Sequence, residues 1–139
     1  MNYYVSIFKN SRVLTVSRYG DAGPGPKGSV MTANFELDGQ EFVALNGGPH
    51  FKFTEAISFV VNCETQQEID EYWQKLTDGG KGVECGWLKD RYGLSWQIVP
   101  RILPQLFKKD PETSNQVMKA LLMMKKLDIG ALQAAYDGR

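Results

Sequence analysis

Residues 56–99 constrain the fold most strongly, because this segment combines the signals of a strand, a capped helix and two further strands. The run AISFVVNC over 56–63 alternates larger apolar side chains with smaller or polar ones, which predicts a half-buried β-strand. Thr65 and Glu68 stand three residues apart and form a capping box at the start of the next segment. Three apolar residues then follow at helical spacing, Ile69, Trp73 and Leu76, so we expect a helix with one buried face.

Two short strands are predicted after that helix, over 83–88 and 94–99, and the sequence DRYG between them predicts a tight turn. Within this turn we expect Asp90 and Arg91 to form a solvent-exposed pair, which contributes little to stability. Alternation along the last strand directs Trp96 toward the core on the helix-covered side.

The N-terminal part carries a related set of signals. Strands are predicted over 11–19, 30–37 and 40–45, with a Gly- and Pro-rich loop over 20–28 and an Asp-Gly hairpin turn between the last two strands. The opening run YYVSIF is typical of the end of a helix. This part would therefore repeat the later unit if a strand and the start of a helix preceded it, and repeated units of this kind bury their faces together.

The C-terminal part is predicted to be helical. Asp110 followed by Pro111 is typical of a helix start, and Asp128 is predicted to cap a last short helix. We therefore expect a single domain over 1–139, made of an incomplete first module over 1–49, a second module over 50–100 and C-terminal helices over 101–139.

Composition limits the possible partners and compartments. The 139 residues contain 16 basic and 16 acidic side chains, so the balanced charge predicts no binding to nucleic acid or to an anionic membrane. No apolar run approaches the ~20 residues that a membrane span needs. The first residues show no basic stretch followed by an apolar core, so we expect no secretion signal and a cytoplasmic protein.

Cysteine and histidine are scarce in the chain. Cys63 and Cys85 are far apart and form no CxxC pattern, so we expect two buried free thiols in strand-like runs. His50 is the single histidine, whereas a zinc site uses three or four ligands. His50 is either a donor in a pocket or an exposed loop residue.

Five segments carry a resemblance to a known family: SRVLTVSRYGDAGPGPKGSV, FELDGQEFVALNGGPHFKF, AISFVVNCET, CGWLKDRYGLSWQIVP and MKKLDIGALQAAYDG. They resemble the PhnB-like branch of the vicinal oxygen chelate superfamily, which includes glyoxalase I, extradiol dioxygenases and bleomycin-resistance proteins. This branch is often labelled 3-demethylubiquinone-9 3-methyltransferase. The resemblance implies an α+β fold of paired βαβββ modules, with curved mixed sheets around a cleft, a helical C-terminal tail and a homodimer. Family members begin with a strand ahead of the first helix, so that strand is expected to be missing here.

The resemblance also implies where metal-dependent relatives hold their ion, with one ligand from each of four strands. The first position would lie on the missing strand, and the others correspond to Phe42, Ala56 and Gln97. Phenylalanine and alanine have no donor atom, and a glutamine carbonyl is a weak ligand for a transition metal. We therefore expect no divalent metal at this position.

The methyltransferase label implies binding of S-adenosylmethionine. The Gly-rich loop over 20–28 is predicted to join two antiparallel strands and to open no helix. A nucleotide-binding glycine loop instead leads into a helix N-terminus. We therefore expect no cofactor.

Strand alternation, together with the loop that holds His50, predicts a small-molecule pocket with aromatic, small and amide groups and no acid–base pair. The candidate pocket residues are Phe42, Ala44, Asn46, His50, Ser58, Val60, Trp87 and Gln97. Trp87 is either a core residue or a pocket wall. No catalytic residue is assigned.

The sequence predicts a small-molecule-binding protein that is dimeric and holds no divalent metal, and it leaves catalysis open. One alternative is a metal-dependent enzyme of the glyoxalase or dioxygenase type, in which His50 rearranges into a new site with Glu41 or Glu55. A second is the methyltransferase that the family label suggests. A third is an interaction role for the C-terminal helices.

Overall fold

The structure, a computed structural model, describes residues 1–139. The chain divides into two units, residues 1–52 and 53–139, and each unit is built around its own β-sheet. Helices combine with one antiparallel and one mixed sheet, so the expected α+β class is confirmed.

The first unit is a short helix followed by a three-stranded antiparallel sheet in the order β1-β2-β3. Its elements are α1 (Asn2–Ile7), β1 (Arg12–Arg18), β2 (Val30–Leu37) and β3 (Gln40–Leu45). The predicted Asp-Gly hairpin is confirmed, because Asp38 and Gly39 both adopt positive φ angles (50° and 79°).

Alternate residues of β2 are buried in the first unit, namely Ala33, Phe35 and Leu37. The helix α1 packs against β1 and β2, and its Ile7 is also buried. The loop over 20–28 wraps around the buried ring of Tyr19 so closely that a Cβ at Gly23 or Gly25 would overlap with that ring.

The second unit has a four-stranded sheet in the order β4-β7-β6-β5. Its elements are β4 (Ser58–Cys63), α2 (Gln66–Thr77), β5 (Lys81–Gly82), β6 (Trp87–Lys89), β7 (Ser95–Pro100), α3 (Leu103–Leu106), α4 (Pro111–Leu122) and α5 (Ile129–Asp137). β4 and β7 are parallel, and the other pairs are antiparallel. The parallel pair is possible because the chain crosses over through α2 before it returns to the sheet.

The predicted helix caps are confirmed. The Thr65 hydroxyl accepts a hydrogen bond from the backbone N–H of Glu68, and the Glu68 carboxylate accepts one from the N–H of Glu64. Asp110 and Asp128 cap α4 and α5 in the same way, by accepting from the backbone N–H three residues on. On the predicted apolar face of α2, Ile69 and Leu76 are fully buried and Trp73 is half-buried.

The strand predicted over 83–88 is wrong in its first half. Cys85 and Gly86 have φ angles of 59° and 82°, which a strand does not allow. Their backbone N–H groups donate to the carbonyl oxygens of Met124 and Lys125, at 2.8 and 2.7 Å. Cys85 therefore lies in a loop that is hydrogen-bonded to the C-terminal tail. The strand β6 begins only at Trp87.

The expectation of a solvent-exposed Asp90–Arg91 pair is also wrong. Asp90 is only 3% exposed, and its carboxylate accepts hydrogen bonds from the backbone N–H of Tyr92 (2.8 Å) and Leu94 (3.1 Å). It also accepts from the indole N–H of Trp96, at 2.9 Å. This indole is buried, as predicted. Arg91 instead pairs with Asp78.

The C-terminal tail forms an apolar cluster of its own and is hydrogen-bonded to α2. The fully or nearly fully buried residues of this cluster are Leu106, Val117, Leu127 and Leu132. The side-chain amide of Gln66 donates to the carbonyl of Leu127 and accepts from the N–H of Ile129. The helix α3 was not predicted, and it has Pro104 in its first turn.

None of the helices combines the length and the apolar character that crossing a bilayer requires.

Replacing Asp90 with alanine is expected to lower the free energy of unfolding by about 3 kcal/mol, because it leaves a buried indole N–H and two backbone N–H groups without their acceptor. Urea denaturation followed by circular dichroism measures this change. The matched control Asp78→Ala removes an exposed carboxylate and is expected to change stability by no more than about 0.5 kcal/mol. Equal losses in both variants would show that Asp90 has no special role.

Candidate functional site

The sheet of the second unit has one face covered by α2 and one face turned away from it. α2 packs against all four strands, and the buried side chains Leu88, Trp96 and Ile98 lie on its side of the sheet. A Cβ at Gly82 would overlap with the ring of Trp73 on α2. Gly82 of β5 therefore faces α2, and its neighbour Lys81 faces the opposite side of the sheet. We call the opposite side the open face. Near Val99, the apolar cluster of the tail packs against it.

The strand register arranges the open face in two neighbouring rows. The polar row runs across the four strands and contains Ser58, Ser95, Lys89 and Lys81. The apolar row lies beside it and contains Val60, Trp87 and Val83, with the polar Gln97 between Val60 and Trp87. Residues at matching register positions share one face of a sheet, so each row is a line of neighbouring side chains.

Four of the predicted pocket residues meet on the open face. The side-chain amide of Gln97 donates a hydrogen bond to the hydroxyl of Ser58, at 3.0 Å. Val60 is 51% exposed, whereas Ser58, Gln97 and Trp87 are half-buried. Trp87 therefore lies on the open face and not in the core under α2.

The other predicted pocket residues lie in the first unit. Phe42 is half-buried, and its ring stacks on that of Phe35 with centroids 5.8 Å apart. Ala44 lies opposite Ala33 on the same face, and it is exposed.

Asn46 and His50 line a pocket of about 670 Å³ between the 20–28 loop and the Gly-Pro segment that follows β3. The Asn46 side chain donates to the carbonyl of Val30, and its backbone carbonyl accepts from the Tyr19 hydroxyl. These contacts hold the walls of the pocket together. The structure thus shows Asn46 and His50 in one pocket and Ser58, Val60, Trp87 and Gln97 on the open face.

A second cavity, of about 340 Å³, lies at the β5–β6 edge of the second unit. Its charged residues are Lys81, Lys89, Lys125, Glu55 and Glu84. The ammonium group of Lys89 forms an ion pair with the carboxylate of Glu55, and this hydrogen bond lowers the pKa of Glu55.

Sequence reasoning did not select these lysines, and it placed Ser95 on the same strand face as Gln97 without selecting it for the pocket. Lys89 and Ser95 become neighbours only through the register of β6 with β7, which alternation within one strand does not give. Lys125 comes from the tail, where the N–H of Gly86 bonds to its backbone carbonyl. The signal in the sequence that could have indicated them is the positive charge of Lys81 and Lys89, which lie on the edge strand β5 and on its neighbour β6.

The residues present do not fit the metal-ligand set that the resemblance implies. Phe42 and Ala56 have no donor atom, and the Gln97 amide is bonded to Ser58. The structure brings no group of three or more His, Cys, Asp or Glu side chains close enough to hold an ion. The rearranged site would use His50 with Glu41, which belongs to the same unit, or with Glu55, which belongs to the second unit.

The Gly-rich loop does not have the geometry of a nucleotide-binding turn. It joins β1 to β2, which pair antiparallel, and no helix starts at its end. Its glycines instead pack on the ring of Tyr19. The loop therefore has a structural role in shaping the 670 Å³ pocket.

The two cysteines differ in their surroundings. Cys63 is fully buried, and burial raises the pKa of its thiol to about 12, with a smaller contribution from the nearby Glu68 carboxylate. Cys85 is only half-buried. The expectation of a buried thiol is confirmed for Cys63, and neither sulfur is in a disulfide bond.

The structure defines a small α+β protein with one β-sheet in each of its two units, and sequence comparison gives the family. The chain belongs to the 3-demethylubiquinone-9 3-methyltransferase family, whose model matches residues 1–99. Residues 100–139, which include the tail, lie outside that match.

The solved structures that resemble this protein include two from bacteria. A PhnB protein from Bacillus cereus is 40% identical, with a TM-score of 0.66 over 72% of this chain and 87% of that one. Protein PA1353 from Pseudomonas aeruginosa is 19% identical, with a TM-score of 0.52 over 64% of this chain and 77% of that one, and so shares the fold alone. No curated protein matches the chain.

In the native protein, iodoacetamide at mildly alkaline pH is expected to modify Cys85 and to leave Cys63 intact. The thiolate is the reactive form, and a pKa of about 12 leaves almost none of it at Cys63. Peptide mass spectrometry after a timed reaction measures the two sites separately. In urea both sites should react alike, and fast labelling of Cys63 in the native protein would contradict its burial.

Proposed function

We propose that this protein binds a small organic molecule on the open face, without a divalent metal ion. The observation that carries the proposal is the placement of a hydrogen-bonded Gln97–Ser58 pair beside exposed Val60 and half-buried Trp87. Small-molecule sites combine mostly apolar walls with a few polar groups that orient the ligand. The open face offers this combination.

Gln97 is the proposed orienting residue. A glutamine amide offers two donor hydrogens and an acceptor oxygen, and Ser58 uses one of the donors. The second donor hydrogen and the acceptor oxygen of this amide remain for a ligand. Gln97 lies in the middle of the sheet, between Val60 on one side and Trp87 on the other. A planar or apolar ligand that covers these two side chains places its polar groups at the amide.

The first unit supplies the other candidate contacts. Asn46 and His50 line the 670 Å³ pocket, and we retain them with Phe42 and Ala44 as proposed ligand contacts. His50 is exposed and is the single imidazole of the chain, so it adds ring nitrogens to the polar groups that line this pocket.

An uncharged aromatic probe, N-phenyl-1-naphthylamine, tests the open face through its fluorescence on binding. Val60→Asp is expected to weaken its binding about tenfold, because the carboxylate must be desolvated where an apolar contact was made. The matched control Met123→Asp changes an 87% exposed residue of the tail and is expected to leave the affinity unchanged. Equal affinity in Val60→Asp and in the wild-type protein would overturn the proposal.

The alternatives to metal-free binding are tested on the same preparation. Elemental analysis of the purified protein is expected to find no stoichiometric zinc, nickel or iron, and probe affinity is expected to survive a chelator. A stoichiometric metal that is lost in His50→Ala would favour the glyoxalase- or dioxygenase-type enzyme. Calorimetric titration with S-adenosylmethionine tests the methyltransferase in the family description, and a saturable heat would favour that activity.

We further propose that the protein is a homodimer that associates through the first unit. The observations that support this are the free edge of β3 and three exposed apolar side chains, Val43 and Leu45 (each 66% exposed) and Phe51 (95%). Exposed apolar residues next to an unpaired strand edge are typical of an association surface.

Light scattering is expected to give twice the mass of the single chain for the wild-type protein. The double variant Val43→Lys, Leu45→Lys places two like charges at the proposed interface and is expected to give the single-chain mass. The same substitution at Met123, on the exposed side of the tail, is the matched control and should remain dimeric. A wild-type monomer would refute the dimer.

A further inference from the structure

Two lysines face each other at the edge of the second unit's sheet. Lys81 on β5 and Lys89 on β6 are register partners, so their side chains leave the same face at the same level. Like charges directly opposite each other destabilise a strand pair. Lys125 lines the same 340 Å³ cavity, which raises the local density of ammonium groups further. This arrangement needs a negatively charged partner.

The chain itself shows that a carboxylate binds at this position. The Glu55 carboxylate forms an ion pair with Lys89, although the Glu55 side chain is 65% exposed. An exposed ion pair of this kind contributes little free energy, so a ligand anion is able to displace Glu55. Glu84 is the other acidic residue in the cavity, and the three lysines outnumber the two carboxylates.

Ser95 provides an independent observation. It lies between Ser58 and Lys89 in the polar row and is 1% exposed. Its hydroxyl is the one buried side-chain polar atom of the chain without a hydrogen-bond partner. A buried hydroxyl that lacks a partner is costly, so such groups in native proteins require an explanation. Ser95 does not itself line the 340 Å³ cavity, so an oxyanion would provide the missing acceptor by reaching past Lys89 toward the sheet.

The apolar row lies next to these groups. Val60 and Trp87 are in the following register position, two residues along their strands from Ser58 and Lys89. Two residues of a strand span about 7 Å, which is close to the length of an aromatic ring with its substituent. The same face therefore offers a charged end and an apolar end at the spacing of one small molecule.

We propose that the open face binds organic anions, with the carboxylate, sulfonate or phosphate group held by Lys81 and Lys89 beside Ser95, and with the apolar body over Val60 and Trp87. This inference rests on the proposed function, because it uses the same face. Charged residues at a sheet edge also prevent strand association, and that role alone predicts no selectivity for anions.

Two probes with the same aromatic body separate these possibilities. 1-Anilinonaphthalene-8-sulfonate carries a sulfonate, and N-phenyl-1-naphthylamine does not. The double variant Lys81→Gln, Lys89→Gln is expected to bind the sulfonate about tenfold more weakly and the neutral probe unchanged, since only the charged contacts are lost. Lys108→Gln, an exposed lysine of the same unit, is the matched control and is expected to change neither affinity.

Two further variants test the details of the site. Glu55→Gln removes the internal carboxylate from Lys89 and is expected to strengthen sulfonate binding about threefold. Ser95→Ala is expected to weaken it about threefold, because the hydroxyl no longer donates to the anion. Neither change should alter the affinity of the neutral probe, which also reports that each variant is folded.

The outcomes distinguish this inference from the function on which it rests. If the lysine double variant binds the sulfonate as tightly as the wild-type protein, while Val60→Asp still weakens the neutral probe, the anion site is wrong and the open face remains a binding surface. If Val60→Asp changes neither probe, the proposed function itself fails. Loss of sulfonate affinity alone in the lysine variant supports the anion site.

Discussion

The second unit depends on the three hydrogen bonds that the Asp90 carboxylate accepts. By accepting from two backbone N–H groups of its own turn and from the indole of Trp96, it fixes where β6 ends and β7 begins. Because successive side chains of a strand alternate between the two faces of the sheet, the position of the Trp96 side chain toward α2 determines the face of every other side chain in β7. Ser95 and Gln97 are placed on the open face by the same bond that buries Trp96.

The parts of the fold that sequence predicts well depend on contacts that are local in the chain. The caps at Thr65 and Asp110 involve partners three residues away, so spacing alone reveals them. The loop at Cys85 and Gly86 was misassigned because the carbonyl groups that satisfy its N–H groups belong to the distant tail. Asp90 was misassigned for a different reason: a DRYG turn looks solvated until the indole that buries its carboxylate is known.

The candidate site divides in the same way. Alternation places Ser58 and Val60 on one face of β4 and Gln97 on one face of β7, so their grouping was predictable from each strand separately. The polar row was not, because Lys89 and Ser95 become neighbours only once the β6–β7 register is known. Charged side chains on short edge strands give little indication of which strand they face. The signal of the proposed anion site is therefore in the pairing of strands and not in any single segment.

The tail supplies parts of the second unit that the family match does not cover. Carbonyl groups of Met124 and Lys125 hold the 83–86 loop, and the Lys125 side chain lines the cavity beside it. A relative without such a tail must bond this loop in another way and loses one of the three ammonium groups. If the proposed anion site is correct, a change in the tail sequence after position 99 also changes the charge of this cavity, while the sheet itself stays the same.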